Sequence, residues 1–157
     1  MLIYFLRHAE AEDTSPQGDA GRRLTDKGMQ RSRQVGQALV AMDVIVDMVL
    51  CSPLQRALET ADAVLESVDA RLEVEDDLAG NLDPDTLGYM LEAHGPAGNV
   101  LIVGHEPDLS RTITLLIGGG RIEMKKGAVA CVETLAPVAK AGVLRWLLTG
   151  KQMGLMR

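Results

Sequence analysis

Three short, mostly apolar runs, residues 2–6 (LIYFL), 46–51 (VDMVLC) and 100–103 (VLIV), each give way within a few residues to sequence with helical periodicity. Runs of this length bounded by polar residues fit strands buried on both faces, and such strands alternating with helices build a largely parallel sheet covered on each side. Thr25 reads as the N-cap of a first helix that ends near Met42, with Ser32, Val35, Gly36, Leu39 and Val40 on one side. Ser52-Pro53-Leu54-Gln55 reads as N-cap, N1 proline and capping-box glutamine of a second helix. Its Leu54, Ala57, Leu58, Ala61, Val64 and Leu65 recur at helical spacing. Between 71 and 99 the pattern gives a short strand at 72–74, an acidic loop, a helix over 84–93 and a turn at Gly95-Pro96-Ala97-Gly98. Pro107 then opens a helix to about Ile117. Gly118-Gly119-Gly120 reads as a turn, because it follows a helix and lacks the Lys-Ser/Thr of a P-loop. Residues 128–135 and 143–149, split by Gly142, form a closing hairpin. The expected fold is a three-layer α/β/α sandwich with a mixed, mostly parallel central sheet, in one domain over residues 1–157.

Composition narrows the partners. Aromatic residues are 3% of the chain and the formal charge is −6, so neither a base-stacking surface nor a broad basic field for nucleic acid is expected. Any anion must be held by a few placed cations. No stretch approaches the ~20 apolar residues of a membrane helix, and the N-terminus lacks the basic segment and small-residue site of a signal peptide. A cytoplasmic protein without membrane partners is expected. Cys51 and Cys131, far apart in sequence, read as buried thiols rather than a disulfide.

In sheets of this kind ligands bind beyond the carboxyl ends of the strands. The first strand ends in Arg7-His8, the second runs through Ser52-Pro53 into Arg56, and the strand at 100–103 ends in Gly104-His105. Two arginines and two histidines, distant in sequence, are thereby delivered to one rim. Arg56 lies in the first helical turn, off the apolar stripe, and helical side chains tilt toward the N-terminus, so its guanidinium reaches back over that rim. Gly104 leaves room for a ligand, and the helix opening at Pro107 turns its positive end to the same place. Singly, each residue has a structural explanation: a histidine after a strand is commonly a hydrogen-bonded core residue, and Arg56 can pair with Glu59 three positions on. Together they suit a phosphoryl group. Each guanidinium offers paired planar donors, and the two histidines supply a nucleophile with a helper.

Leu6-Arg7-His8-Ala9, Leu24-Thr25 with Gly28, Ser52-Pro53-Leu54-Gln55-Arg56-Ala57-Leu58-Glu59-Thr60 and Val103-Gly104-His105-Glu106-Pro107 resemble, in this order, the signatures of the histidine phosphatase superfamily. The short chain and the Arg-His-Ala form are similar to its SixA-type phosphohistidine phosphatases, and the resemblance spans residues 2 to about 117. It implies that His8 is the residue phosphorylated, that Arg7 and Arg56 grip the phosphoryl oxygens and that His105 completes the pocket. It also implies that phosphate or sulfate binds there and that no metal or cofactor takes part. Arg22, shortly before Leu24-Thr25, matches a frequent arginine of the small branch and reads equally as an exposed loop cation. Ala9 stands where the larger superfamily has glycine. The carboxylic acid that protonates the leaving group in mutase-like and acid-phosphatase-like members is not placed: Asp76, Asp77, Asp83, Asp85, Glu10 and Glu12 are all candidates.

The open place for an acid bears on the substrate. An alkoxide leaving from a sugar phosphate needs a positioned general acid. A phosphohistidine protonated on its other ring nitrogen leaves instead as neutral imidazole, whose conjugate acid has a pKa of ~6.5. About 45 residues separate Thr60 from Gly104, too few for a large lid, so the site should admit a protein-borne phosphoryl group. The expected activity is removal of phosphate from phosphohistidine on a signalling protein through a His8 phosphoenzyme. The alternatives are a small-metabolite phosphatase or phosphoglycerate-mutase-like enzyme, and a non-catalytic phosphoprotein-binding module.

Overall fold

The structure, a computed structural model, describes residues 1–95 and 98–156. Its strands are β1 (Leu2–Arg7), β2 (Met48–Cys51), β3 (Arg71–Val74), β4 (Val100–Gly104), β5 (Val129–Glu133) and β6 (Val143–Leu148). They form one sheet in the order β3-β2-β4-β1-β5-β6. The β1, β4, β2 and β3 strands run parallel, and the β5/β6 hairpin joins β1 antiparallel. All residues of β2 and β4 are buried, as strands covered on both faces must be, whereas β6 at the edge is only half-buried.

Side chains alternate across the sheet, so each strand feeds two cores. Tyr4 and Leu6 point to the layer containing α1 (Asp26–Ala41), α2 (Gln55–Leu65) and the short α5 (Gly150–Met153), where they join Val35, Leu39, Ala61 and Met153. Ile3 and Phe5 point to the opposite layer of α3 (Pro84–Ala93) and α4 (Asp108–Ile117), where they join Leu87, Ile113 and Leu116. This is the α/β/α sandwich with a mixed, mostly parallel sheet expected from the sequence. Local chemistry sets the helix ends: Thr25 Oγ1, the cap anticipated from the sequence, accepts from the Gly28 N–H, Asp83, in the sequence only a candidate acid, accepts from the Thr86 N–H, and Gly118 ends α4 in the left-handed conformation at φ 91°. Cys51 and Cys131 are buried and free, and burial pushes their thiols up to about 12 and about 11. Among the described residues no helix is long and apolar enough to cross a membrane.

The start of α2 departs from expectation. The helix begins at Gln55 with Leu54 in the cap position, and no side chain caps it. The Ser52 hydroxyl accepts from the Leu54 N–H at 3.2 Å but is turned toward His105, so the anticipated capping box does not form. The expected turn at Gly95 to Gly98 includes residues 96 and 97, which lie outside the described residues. The four-residue helix α5 and the 3-10 turns Asp19–Gly21 and Asp76–Ala79 carry no periodicity long enough to read from sequence.

Two glycines test the packing. A Cβ on Gly36 of α1 would stand 2.6 Å from the Val64 carbonyl oxygen of α2, backbone against backbone. Gly36→Ala should therefore force the helices apart and cost about 1–3 kcal/mol. Gly88 in α3 has nothing nearer than Pro137 at 3.6 Å, and Gly88→Ala should raise stability by about 0.5–1 kcal/mol. Urea midpoints of the two variants should move in opposite directions.

Candidate active site

The β1 and β4 strands pair with Arg7 opposite Gly104, and the His8 N–H extends this ladder to the Gly104 carbonyl at 3.1 Å. His8 and His105 follow at the two strand ends, with ring centroids 5.2 Å apart. His8 is buried, and its Nδ1 lies 2.8 Å from the Ala9 carbonyl oxygen. A carbonyl only accepts, so the proton sits on Nδ1 and the Nε2 lone pair is left for a ligand. The Ala9 N–H donates to Thr60 Oγ1 at 3.1 Å, and the Thr60 hydroxyl donates to the Arg56 carbonyl at 2.7 Å. The turn bearing His8 is thus fastened to the helix that carries Arg56.

His105 is oriented from the neighbouring strand end. Its Nε2 lies 2.7 Å from the hydroxyl of Ser52, which is fully buried and also accepts from the Leu54 N–H. The Ser52 proton finds an acceptor if it points at Nε2. We assign that tautomer, which puts the His105 proton on Nδ1.

The arginines are held from behind. Arg7 Nη1 donates to the Met124 carbonyl at 3.0 Å, and Arg56 donates from Nη1 to the Asp19 carbonyl at 3.0 Å and from Nη2 to its carboxylate at 3.3 Å. Neither Nε has a partner. Among the described residues, Arg7 Nε, Arg56 Nε and His105 Nδ1 are the buried side-chain nitrogen or oxygen atoms without a hydrogen bond. Each such orphan costs about 1–3 kcal/mol, so three donors around one imidazole mark the seat of an acceptor-rich anion. The same excess of positive groups acts on the histidines. Burial first, then His105 and the two arginines, push His8 down to about 3 against the opposing hydrogen bond from Ala9. Burial and Arg56 push His105 down to about 4, with Asp19 opposing. Both rings are neutral near pH 7, as a nucleophile and a neutral donor require. Burial also lowers Arg7 from its ordinary value.

Arg7, His8, Arg56 and His105 therefore meet as the sequence implied, and Arg56 does not pair with Glu59. Glu59 is buried and accepts instead from Arg23 Nε and the Leu24 N–H. Arg22 stands one layer back. Its Nε donates to the Glu12 carbonyl and its Nη1 to Asp19, the carboxylate that also holds Arg56. The candidate acids are placed less favourably: Asp83 caps α3, Glu10 binds the Thr25 hydroxyl, and Glu12, Asp76, Asp77 and Asp85 are exposed. Glu106, beside His105, is the carboxylate that acts on Arg7, and its oxygens accept from the Ser110 N–H and hydroxyl. The third histidine, His94, pairs with Glu75. Thr60 and Glu106 sit inside motifs legible in the sequence without any role read for them, Ser52 reads there only as a helix cap, and Asp19 lies in a polar loop with no signal at all. Among the described residues no group of three or more His, Cys, Asp or Glu is arranged to hold a metal ion.

Residues 3–80 match the family model of the histidine phosphatase superfamily (branch 1). An uncharacterized protein from Picosynechococcus sp. is 32% identical over 140 residues, 82% of each chain. Among solved structures, the protein histidine phosphatase SixA complexed with tungstate superposes with a TM-score of 0.84 at 24% identity, over 96% of this chain and 98% of that one. A protein assigned as phosphohistidine phosphatase SixA from Nakamurella multipartitia gives 0.80 at 26% identity, over 94% of both chains.

The depressed histidines predict a pH response. Unfolded histidines protonate near ~6.5, and these two do so in the fold only at about 3 and about 4. Between those limits the unfolded chain binds more protons, so stability should fall as pH drops from about 6.5 toward 4. Ring carbon resonances of His8 and His105 should not titrate between pH 8 and 5 in the free protein. Added sulfate should move both titrations upward, and free-protein midpoints near 6.5 would show the rings to be solvated.

Proposed function

The chain belongs to the histidine phosphatase superfamily, and on that premise we propose that it is a metal-independent phosphohistidine phosphatase that passes the phosphoryl group of a protein phosphohistidine to His8 and then to water. One observation carries the reading: three unpartnered buried donors surround a neutral imidazole whose Nε2 is free. In the first step Nε2 of His8 attacks phosphorus while the P–N bond to the substrate imidazole breaks. Arg7, Arg56 and His105 donate to the equatorial oxygens, where negative charge accumulates. The substrate ring, protonated on its other nitrogen, departs neutral. His8 keeps its Nδ1 proton throughout, so phosphorylation at Nε2 makes it a protonated phosphohistidine in turn. Water then attacks phosphorus, His8 leaves as neutral imidazole, and phosphate is released. Neither half requires an enzyme carboxylic acid. Ser52 acts as a positioning residue for His105, and Arg22 for Arg56 through Asp19.

The route of the chain supports a protein-sized substrate. The stretch between α2 and β4 is taken up by edge strand β3 and by α3, whose Leu87, Met90 and Leu91 pack into the core. A second reading, a phosphatase or mutase acting on a small phosphorylated metabolite, rests on Glu106, a half-buried carboxylate beside His105 that could protonate an alkoxide.

Acid-quenched enzyme should carry phosphate on His8 during turnover, and His8→Ala should abolish both the label and activity. Arg56→Lys should lose ~10²–10³ in kcat, because a point cation cannot replace a planar two-donor fork. Wild-type kinetics in that variant would remove Arg56 from the pocket.

Glu106→Gln separates the substrate classes. On phosphohistidine peptide it should stay within about tenfold of the parent, a barrier change of ~1.4 kcal/mol. Efficient parent turnover of a sugar phosphate, lost ~10²–10⁴-fold in the variant, would establish Glu106 as a general acid and the metabolite reading with it.

A further inference from the structure

The chain is acidic, with 22 Asp and Glu against 16 Lys and Arg, yet its cations gather beside the pocket. A groove of about 550 Å³ opens from Arg7 and is lined by Arg111 of α4 and by Arg121 and Lys125 of the loop leading to β5. A second cleft of about 220 Å³ lies against the same loop, lined by Lys27, Arg31, Lys126 and Lys151, and Lys125 borders both. Half of the lysines and arginines thus face these two depressions, against three carboxylates, Glu10, Glu106 and Glu123. Elsewhere on the surface Arg33, Arg71 and Arg145 each sit on a carboxylate, and beside the pocket Arg111 pairs with Asp108 and Lys27 with Glu10. Arg121, Lys125, Lys126 and Lys151 are exposed, and among the described residues none has a carboxylate within 4.0 Å.

The loop that carries them is part of the pocket wall. The Met124 carbonyl accepts from Arg7, and the Gly127 N–H donates to the carbonyls of Arg7 and His8 at 3.0 and 3.2 Å. Lys125 and Lys126 lie between these two anchor points, so their charges are held at the rim next to the nucleophile. A protein-borne phosphoryl group can reach His8 only if the residues flanking it pass over this rim. We propose that the loop at residues 121–127, with Arg111 and Lys151 on either side, is a docking shelf for an acidic segment of the phosphorylated substrate protein. The proposal rests on the phosphohistidine reading of the site. The unpaired cations attract acidic flanks and disfavour basic ones, while Glu106 and Glu123 among them disfavour a polyphosphate backbone.

The test uses histidine peptides phosphorylated chemically with phosphoramidate, identical except that the phosphohistidine is flanked by Glu, Gln or Lys, together with free phosphohistidine. At low ionic strength kcat/KM should fall in the order Glu, Gln, Lys, by roughly tenfold across the series, as expected for a few exposed charge pairs, and 0.5 M NaCl should compress the order. The triple variant Arg121→Gln, Lys125→Gln, Lys126→Gln should flatten it when each peptide's kcat/KM is divided by the same enzyme's kcat/KM on free phosphohistidine. A parent that hydrolyses free phosphohistidine and all three peptides without regard to flank charge overturns the docking shelf. A parent inactive on every phosphohistidine probe overturns the functional reading beneath it.

Discussion

The parallel pairing of β1 with β4 is the constraint on which the site depends. With Arg7 opposite Gly104, the next residues on the two strands bring His8 and His105 together, and a slip of one residue would send each side chain to the other face of the sheet. The remaining parts are fastened to the same strand ends. The Ala9 N–H reaches Thr60 on α2, the Gly127 N–H reaches the Arg7 and His8 carbonyls, and Arg7 itself holds the Met124 carbonyl. Gly104 serves packing rather than leaving room for a ligand as the sequence suggests: a Cβ there would press on Leu109 at 3.3 Å, at the start of the helix that follows His105. Three sequence-distant segments therefore converge because one register is fixed, with Ile3 and Phe5 seated in one core and Tyr4 and Leu6 in the other.

The electrostatics of the pocket suit an anion. Two arginines and two imidazoles share a rim whose nearby carboxylates are Asp19, exposed and facing Arg22 as well as Arg56, and Glu106, which Ser110 holds. The protein limits the resulting repulsion by keeping both histidines neutral, and it leaves three N–H donors without acceptors. Burial lowers both histidines first and the neighbouring cations lower them further, while the same burial keeps the donors from water. A phosphoryl group offers charge and acceptors together, which is why an arrangement that costs stability in the free protein persists.

Legibility in the sequence follows the range of the interaction. Thr25 as a helix cap, the buried strands and the helix over 84–93 depend on neighbours a few positions away, and the structure places them as read. The four rim residues were legible because strand ends in a parallel sheet share one edge. Ser52 defeats the same reasoning. Serine-proline with glutamine three positions after the serine is a local signal for a cap, but the hydroxyl is claimed by His105, 53 residues away, and no local rule weighs that bond. Glu59 fails similarly, since an i+3 pairing with Arg56 competes with donors from Arg23 and Leu24, 36 and 35 residues distant. Asp19 gave no signal because a lone aspartate in a polar loop has no periodicity to betray its target.

The hydrogen bond from His8 Nδ1 to the Ala9 carbonyl ties the geometry to the choice of leaving group. In the proposed reaction it keeps the ring proton in place while Nε2 gains and loses phosphorus, so a phosphorylated His8 would carry the same protonation as a protonated phosphohistidine arriving on a substrate. Exchange between two such imidazoles is close to symmetric, and departure from either needs no further proton. A site built this way discriminates through chemistry rather than shape: imidazole leaves with a conjugate acid near ~6.5, and an alkoxide, far more basic, stalls without a donor. A pocket with little enclosure can therefore remain selective, because the surrounding surface has only to select the protein that presents the imidazole while the bond to phosphorus decides which groups can leave.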